Sequence, residues 1–232
     1  MMKLQIAILG ETDYQQALNM QMQLLALRQQ GQVGDIMLLL QHPPTLTMGM
    51  RENRYNILVP EEQLKAQGAS IYKINRGGDV TYHGPGQIVG YPILDLKNHG
   101  KSVKGYVNKL EEVFIQLLKD EYNLNAHREP AYRGVWINDE KITAIGCSVK
   151  RWVTMHGFAF NVNTNLQHFQ WINPCGITDK GVTSLQKILG QSQDIDVLNQ
   201  QVITYFCRMF NVQPQLIEQQ QLNRMLGGGQ HE

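Results

Sequence analysis

Apolar residues along this chain follow two rhythms: short runs of strand length, and longer stretches that repeat every three or four residues. Residues 4–9 form the first run and predict a strand. Thr12 then offers an N-cap for a helix reaching Arg28, with Gly31 as its stop and Tyr14, Leu18, Met22 and Leu25 as its core face. Asp35 leads into residues 36–40, a continuous apolar run of buried-strand type, which His42-Pro43-Pro44 ends because proline cannot donate to a sheet ladder. Residues 71–74 and 87–96 predict further strands. Residues 103–121 predict a helix with Val107, Leu110, Phe114, Leu117 and Leu118 as one stripe. Residues 134–137 and 142–146, joined by the polar turn 138–141, read as a β-hairpin. A strand over 152–161 and a helix over 199–210 follow.

Strands outnumber helices and come both in hairpins and alternating with helices. The expected fold class is α+β: a single domain, residues 1–217, with a mixed β-sheet flanked by helices. The stretch 218–232 is Gln-rich, contains Gly227-Gly228-Gly229, and is expected to be a disordered, fraying tail.

Composition narrows the class. The 232 residues are 42% hydrophobic and 18% charged, with a formal net charge of +1, which gives material for a core and no basic excess for nucleic acid. The N-terminal apolar run is too short for a transmembrane helix and lacks a signal-peptide cleavage pattern. Three scattered cysteines, Cys147, Cys175 and Cys207, argue against a disulfide framework, and no pair has the CxxC spacing of a structural zinc site. A soluble protein of the reducing cytoplasm is expected. No segment looks like an interaction helix, so a monomer is expected too.

Chemistry concentrates in three places. Residues 76–87 (RGGDVTYHGPGQ) contain four glycines among Thr, Tyr and His, a loop able to approach a ligand closely or to remain a surface turn. It is neither a dinucleotide fingerprint nor a P-loop: proline separates the first two glycines of Gly84-Pro85-Gly86, no third is in place, and no Gly-Lys-Ser/Thr follows. In Asn173-Pro174-Cys175-Gly176, a cysteine between proline and glycine sits on a turn, as nucleophile or as structural residue, whereas Cys207 and Cys147 read as core. A free thiol has a pKa of about 8.5, so a catalytic Cys175 needs a nearby cation or base. His83, His156, Lys141 and Lys150 are candidates, with a solvated turn lysine as the plain alternative for Lys141. Residues 156–163 (HGFAFNVN) alternate small and large side chains on a strand where Gly157 permits a close approach.

Together these segments, with GVWINDEKITAIG over 134–146, Gln41-His42-Pro43-Pro44 and Thr183-Ser184-Leu185, resemble the octanoyl-[acyl-carrier-protein]:protein octanoyltransferases of lipoate biosynthesis. The resemblance runs from about Leu38 to Leu189. It implies a fold similar to the catalytic domain of biotin and lipoate protein ligases. It implies that Cys175 carries the acyl group as a thioester and that Lys141 lowers the thiol pKa and moves protons. It further implies an acyl pocket lined by Arg76, Gly77, Gly78, Asp79, Val80, Thr81, Tyr82 and His83, by Ala144, Ile145 and Gly146, and by Gly157, Phe158 and Ala159. The Asp79 side chain is given no role, because relatives also place other residue types there. The implied donor is octanoyl-acyl carrier protein. The implied acceptors are lipoyl domains of 2-oxoacid dehydrogenases and the glycine cleavage H protein. No cofactor, metal or ATP is called for, and no nucleic acid or membrane partner.

Rival readings are an ATP-using lipoate or biotin ligase, a cysteine hydrolase pairing Cys175 with His83 or His156, and a non-catalytic module that binds acyl carrier protein or a lipoyl domain. The first needs no cysteine nucleophile, the second would release free fatty acid, and the third would bind without turnover.

Overall fold

The computed structural model describes residues 1–50, 54–173 and 180–227. The chain runs β1 (Met2–Glu11), α1 (Tyr14–Gln29), β2 (Asp35–Gln41), β3 (Thr45–Met48), α2 (Glu61–Ala66), β4 (Ser70–Lys73), β5 (Val80–His83), β6 (Gln87–Ile93), α3 (Val103–Tyr122), β7 (His127–Glu129), β8 (Tyr132–Ile137), β9 (Glu140–Lys150), β10 (Val153–Asn161), β11 (Gly181–Val182), α4 (Leu185–Leu189), α5 (Ile195–Phe210), β12 (Val212–Leu216) and α6 (Gln219–Met225). It is the expected single α+β domain with a mixed sheet, in the order β12-β1-β2-β6-β10-β9-β8-β7, and β11 lies beside the start of β9. The β12, β1 and β2 strands are parallel, and from β2 through β7 each neighbour is antiparallel.

Both faces of this sheet are covered, which explains why β2 is a continuous apolar run. Met37 and Leu39 enter the core under α3 and α5, with Phe114, Phe158, Phe160 and Phe206. Ile36, Leu38 and Leu40 point the other way, under α1 and α6, with Ala17, Leu24 and Leu222. Helix α3 is capped by the Ser102 hydroxyl, which accepts from the Gly105 N–H, and is stopped by Asn123 in the left-handed region. Its predicted stripe is buried, apart from Val107 at the margin.

A second, small sheet was not anticipated. Strand β3 pairs parallel with β4 and antiparallel with β5, and buries Leu46, Met48, Val80 and Tyr82 against Phe169 and Trp171. Four residues directly after two prolines are too few to show a period, and the pairing with β5 spans the whole intervening stretch.

Other expectations need correction. Thr12 is not the cap of α1: its N–H donates to the Gln41 carbonyl, tying it to β2, and the Asp13 carboxylate accepts from the Gln16 N–H instead. The buried face of α1 is Tyr14, Ala17, Met20, Gln21 and Leu24, while Met22 is exposed and Leu18 and Leu25 are marginal. The predicted stripe is one position off because a polar residue occupies the buried face: Gln21 Oε1 accepts from the His156 N–H. Helix α5 begins at Ile195, one turn before the predicted start, where Asp194 caps it. The stretch after Glu218, expected to fray, forms α6, because Leu222, Met225 and Leu226 lie on one helical face and pack under β1 and β2. Residues 228–232 lie outside the described residues.

Candidate active site

The cavity forms where the small sheet meets the large one. The loop from Arg76 to Gly78 leaves the small sheet and lies on β9, its Gly77 N–H bonded to the Cys147 carbonyl. Two glycines make this possible. A Cβ on Gly146 would sit 3.1 Å from the Gly77 carbonyl oxygen, and one on Gly49 only 2.4 Å from that of Gly78. Arg76 anchors the loop from beneath: Nη2 donates to the Thr47 carbonyl at 2.6 Å and to its Oγ1 at 2.9 Å, and Nη1 donates to the Gly77 carbonyl. The result is a cavity that opens to solvent, enclosing about 750 Å³ when the space in its mouth is counted.

Its floor is the β9–β10 pair, where Ala144, Ile145 and Gly146 face Ala159, Phe158 and Gly157 in register. A Cβ on Gly157 would lie 2.3 Å from the Gly90 carbonyl oxygen, so β6 and β10 approach closely only because that position is bare. Of the remaining residues expected to line the cavity, Arg76, Gly77, Gly78, Thr81 and His83 border it, and so does Lys141. Asp79, Val80 and Tyr82 do not border the cavity. Successive residues of a strand face opposite sides, so β5 sends Thr81 and His83 to the cavity and Val80 and Tyr82 to the core of the small sheet. Asp79 turns to Asn56, whose Nδ2 donates to its carboxylate. Tyr14, Gln87, Tyr91, His156, Asn161, Phe169 and Val182 also line the cavity. Gln87, His156 and Asn161 lay inside the motifs already noted; nothing local in the sequence marks Tyr14 or Tyr91.

Lys141 is not a solvated turn residue. The hairpin turn is Asn138-Asp139, with Asn138 at φ 51°, so Lys141 falls inside β9 and is only 7% exposed. Its stem crosses Gly134, where a Cβ would stand 3.3 Å from both Cδ and Cε, and its Nζ lies 4.8 Å from the Trp136 ring centre. Glu111, buried on α3, accepts from the Gly134 N–H and fixes this crossing. Lys150 is exposed at the far end of β9 and does not line the cavity. Cys175 lies outside the described residues. Burial pushes the Cys147 and Cys207 thiols up to about 11, which suits inert core cysteines.

The histidines near the cavity are neutral. Burial pushes His42 and His156 down to about 4 and His83 to about 3, and the Arg76 cation adds to the effect on His83 and His156. Their protons have assigned places. His42 Nδ1 faces the Thr12 carbonyl and must donate to it, so Nε2 accepts from the Tyr91 hydroxyl at 2.7 Å. Groups with such values are poor proton carriers near neutral pH. Among the candidates for activating a thiol, this leaves Lys141, whose side chain lines the cavity.

Residues 13–207 match the lipoyl protein ligase A/B catalytic domain family. A protein of Desulforamulus reducens named octanoyltransferase is 70% identical over 226 residues, covering 97% of this chain and 99% of the relative. The chain belongs to this family. The fold agrees. A lipoate-protein ligase A solved with ATP superposes with a TM-score of 0.75 at 13% identity, over 98% of this chain and 94% of the other. A biotin protein ligase of Aquifex aeolicus, solved with biotin and ATP, superposes with a TM-score of 0.53 at 12% identity, over 89% and 70%. Among the described residues, no helix is long and apolar enough to cross a membrane.

Proposed function

We propose that this chain is a cytoplasmic, monomeric octanoyltransferase that moves an octanoyl group from acyl carrier protein, through a thioester on Cys175, to the ε-amine of a lysine on a lipoyl domain. The observation that carries the reading is Lys141: a lysine buried in the wall of a cavity with an apolar floor, in a chain whose 70%-identical relative is named octanoyltransferase. The acceptor proteins are the lipoyl domains of 2-oxoacid dehydrogenases and the glycine cleavage H protein.

The reaction divides into two acyl transfers, a thiol exchange and an aminolysis, that share one lysine. In the first, the Cys175 thiolate attacks the carrier's thioester carbon, the carrier's sulfur leaves, and the Lys141 ammonium protonates it. A cation beside the thiol favours the thiolate. In the second, a neutral lysine amine attacks the new thioester, the Cys175 sulfur leaves as thiolate, and neutral Lys141 takes the amine's proton. The pair returns to its starting charges. One thioester replaces another in the first half, and the amide formed in the second is the more stable product. Ala144, Ile145, Phe158 and Ala159 offer the octanoyl chain a dry floor, which also protects the acyl-enzyme from water.

The test is transfer without ATP. Octanoyl-carrier protein mixed with the enzyme should add one octanoyl mass, removable by hydroxylamine, and then label a lipoyl-domain lysine. Normal transfer by Cys175→Ala would rule out the covalent route. The likeness to a ligase solved with ATP supports one rival, an ATP-dependent ligase. Transfer of free octanoate that requires ATP would establish that reading instead.

A further inference from the structure

Resting on the reaction proposed above, we infer that His83 Nε2 is a hydrogen-bond acceptor that orients the incoming lysine amine, and is a part of neither the acyl-chain slot nor the proton relay. The inference comes from a chain of hydrogen bonds whose direction is forced. The Thr183 carbonyl can only accept, so the Asn161 atom 3.0 Å from it is the amide nitrogen. Asn161 Oδ1 is then the atom facing Gln87, and it takes a bond from Gln87 Nε2 at 2.9 Å. The same Nε2 donates to the Tyr82 carbonyl, which fixes the Gln87 amide independently. Gln87 Oε1 is left facing His83 Nδ1 at 2.9 Å, and Nδ1 must carry the proton. Nε2 therefore holds a lone pair. It has no partner among the described residues, and His83 lines the cavity.

A bare acceptor in an acyl site is chemically selective. It repels a developing oxyanion and gains nothing from a methylene chain, so it is misplaced for either. It suits an N–H donor. A neutral amine that donates one N–H to Nε2 has its lone pair turned away, free to meet the thioester carbon. When the N–C bond forms and the C–S bond breaks, one amine proton passes to Lys141 and the other stays on the nitrogen as the amide N–H, still donated to His83 Nε2. The chain of bonds sets this geometry, because Thr183, at its far end, also donates its own N–H to the Lys141 carbonyl. Burial, which is the main reason the imidazoles are neutral, also favours the neutral form of an entering amine, and the cation of Arg76, buried at 6% exposure in the same cavity, adds to it.

Two N–H donors could use this acceptor: the lysine amine, or the amides of the carrier's pantetheine arm. Single-turnover kinetics separate them, with thioester formation and transfer to a lipoyl domain timed individually by intact mass. For His83→Phe, which keeps the ring packing on Tyr14 and removes the acceptor, transfer should slow at least tenfold more than thioester formation. His83→Gln, whose carboxamide oxygen can stand near Nε2, should recover part of the loss and serves if the Phe variant fails to fold. Equal slowing of both steps, greater slowing of thioester formation, or unchanged transfer would overturn the inference. A wild-type enzyme that forms no thioester would remove the reaction itself, an outcome distinct from all of these.

Discussion

Strand β2 has a buried polar cluster at each end, and the two are built on opposite plans. At its start, Asp35 is closed in. Oδ1 accepts from Arg28 Nε at 2.8 Å and from the Asp95 N–H at 3.0 Å, and Oδ2 meets His99 Nε2 at 2.6 Å. These bonds tie the end of α1 to β2 and to the turn after β6, and none of the three side chains borders the cavity. Just past its other end, His42 packs with Tyr14, His83 and Tyr91. Among the described residues that cluster holds no ion pair, and His83, which lines the cavity, has one ring nitrogen without a hydrogen-bond partner. A cluster whose charges are all paired contributes to stability and does nothing else. A cluster with one oriented atom unmatched is available to a ligand.

The largest effect should come from the open side. Lys141→Ala should reduce octanoyl transfer by about 10²–10⁴, the usual contribution of a positioned acid–base, with little change in urea midpoint. Equal loss of activity and stability would make Lys141 a packing residue.

The closed side should behave in reverse. Asp35→Ala leaves Arg28 and His99 facing an empty site, and should cost about 3–5 kcal/mol in urea unfolding while the folded enzyme keeps its turnover. Burial alone would raise the Asp35 pKa, but the bonds from His99, the Asp95 N–H and Arg28 outweigh it and hold the carboxyl below its usual value. A depressed folded pKa gives stability that is present above the unfolded value, about 3.9, and is lost as pH falls through the folded one. Asp35→Asn should therefore flatten the acid limb of the stability curve below about pH 4. An acid limb identical to wild type would place the titrating carboxylate elsewhere.

The smallest effect belongs to the start of α1, which carries Tyr14 to the open cluster. Asp13→Ala should cost about 1 kcal/mol as a lost N-cap. Thr12→Ala, whose hydroxyl reaches the Leu9 carbonyl only at 3.5 Å, should stay within about 0.5 kcal/mol. The reverse order would restore Thr12 as the cap.

The two clusters also differ in how far the sequence displays them. The continuous apolar run of β2 and the helical stripe of α3 were legible, and so were the glycine loop and the HGFAFNVN strand, because glycine patterns report backbone approach. Alternation along β5 could have separated Thr81 and His83 from Val80 and Tyr82, had the strand been recognised; at four residues it showed no period. Tyr14 and Tyr91 reach the cavity only through the packing of α1 on the sheet, which no local pattern records. Gln21 misled the reading of α1 for the same reason: its burial is explained by a backbone N–H 135 residues away. The burial of Lys141 depends on Gly134 and Trp136 across a hairpin whose turn is two residues long, shorter than the polar stretch suggested.

The claim at the centre is that Lys141, buried beside Trp136, acts on the Cys175 thiol. The direct measurement is the rate of iodoacetamide alkylation at Cys175 against pH, in wild type and in Lys141→Ala. Cys147 and Cys207, pushed up to about 11, stay protonated through the neutral range and leave the signal to Cys175. The wild-type curve should rise well below the free-thiol value of about 8.5, and Lys141→Ala should move it up toward that value. Superimposable curves would contradict the account.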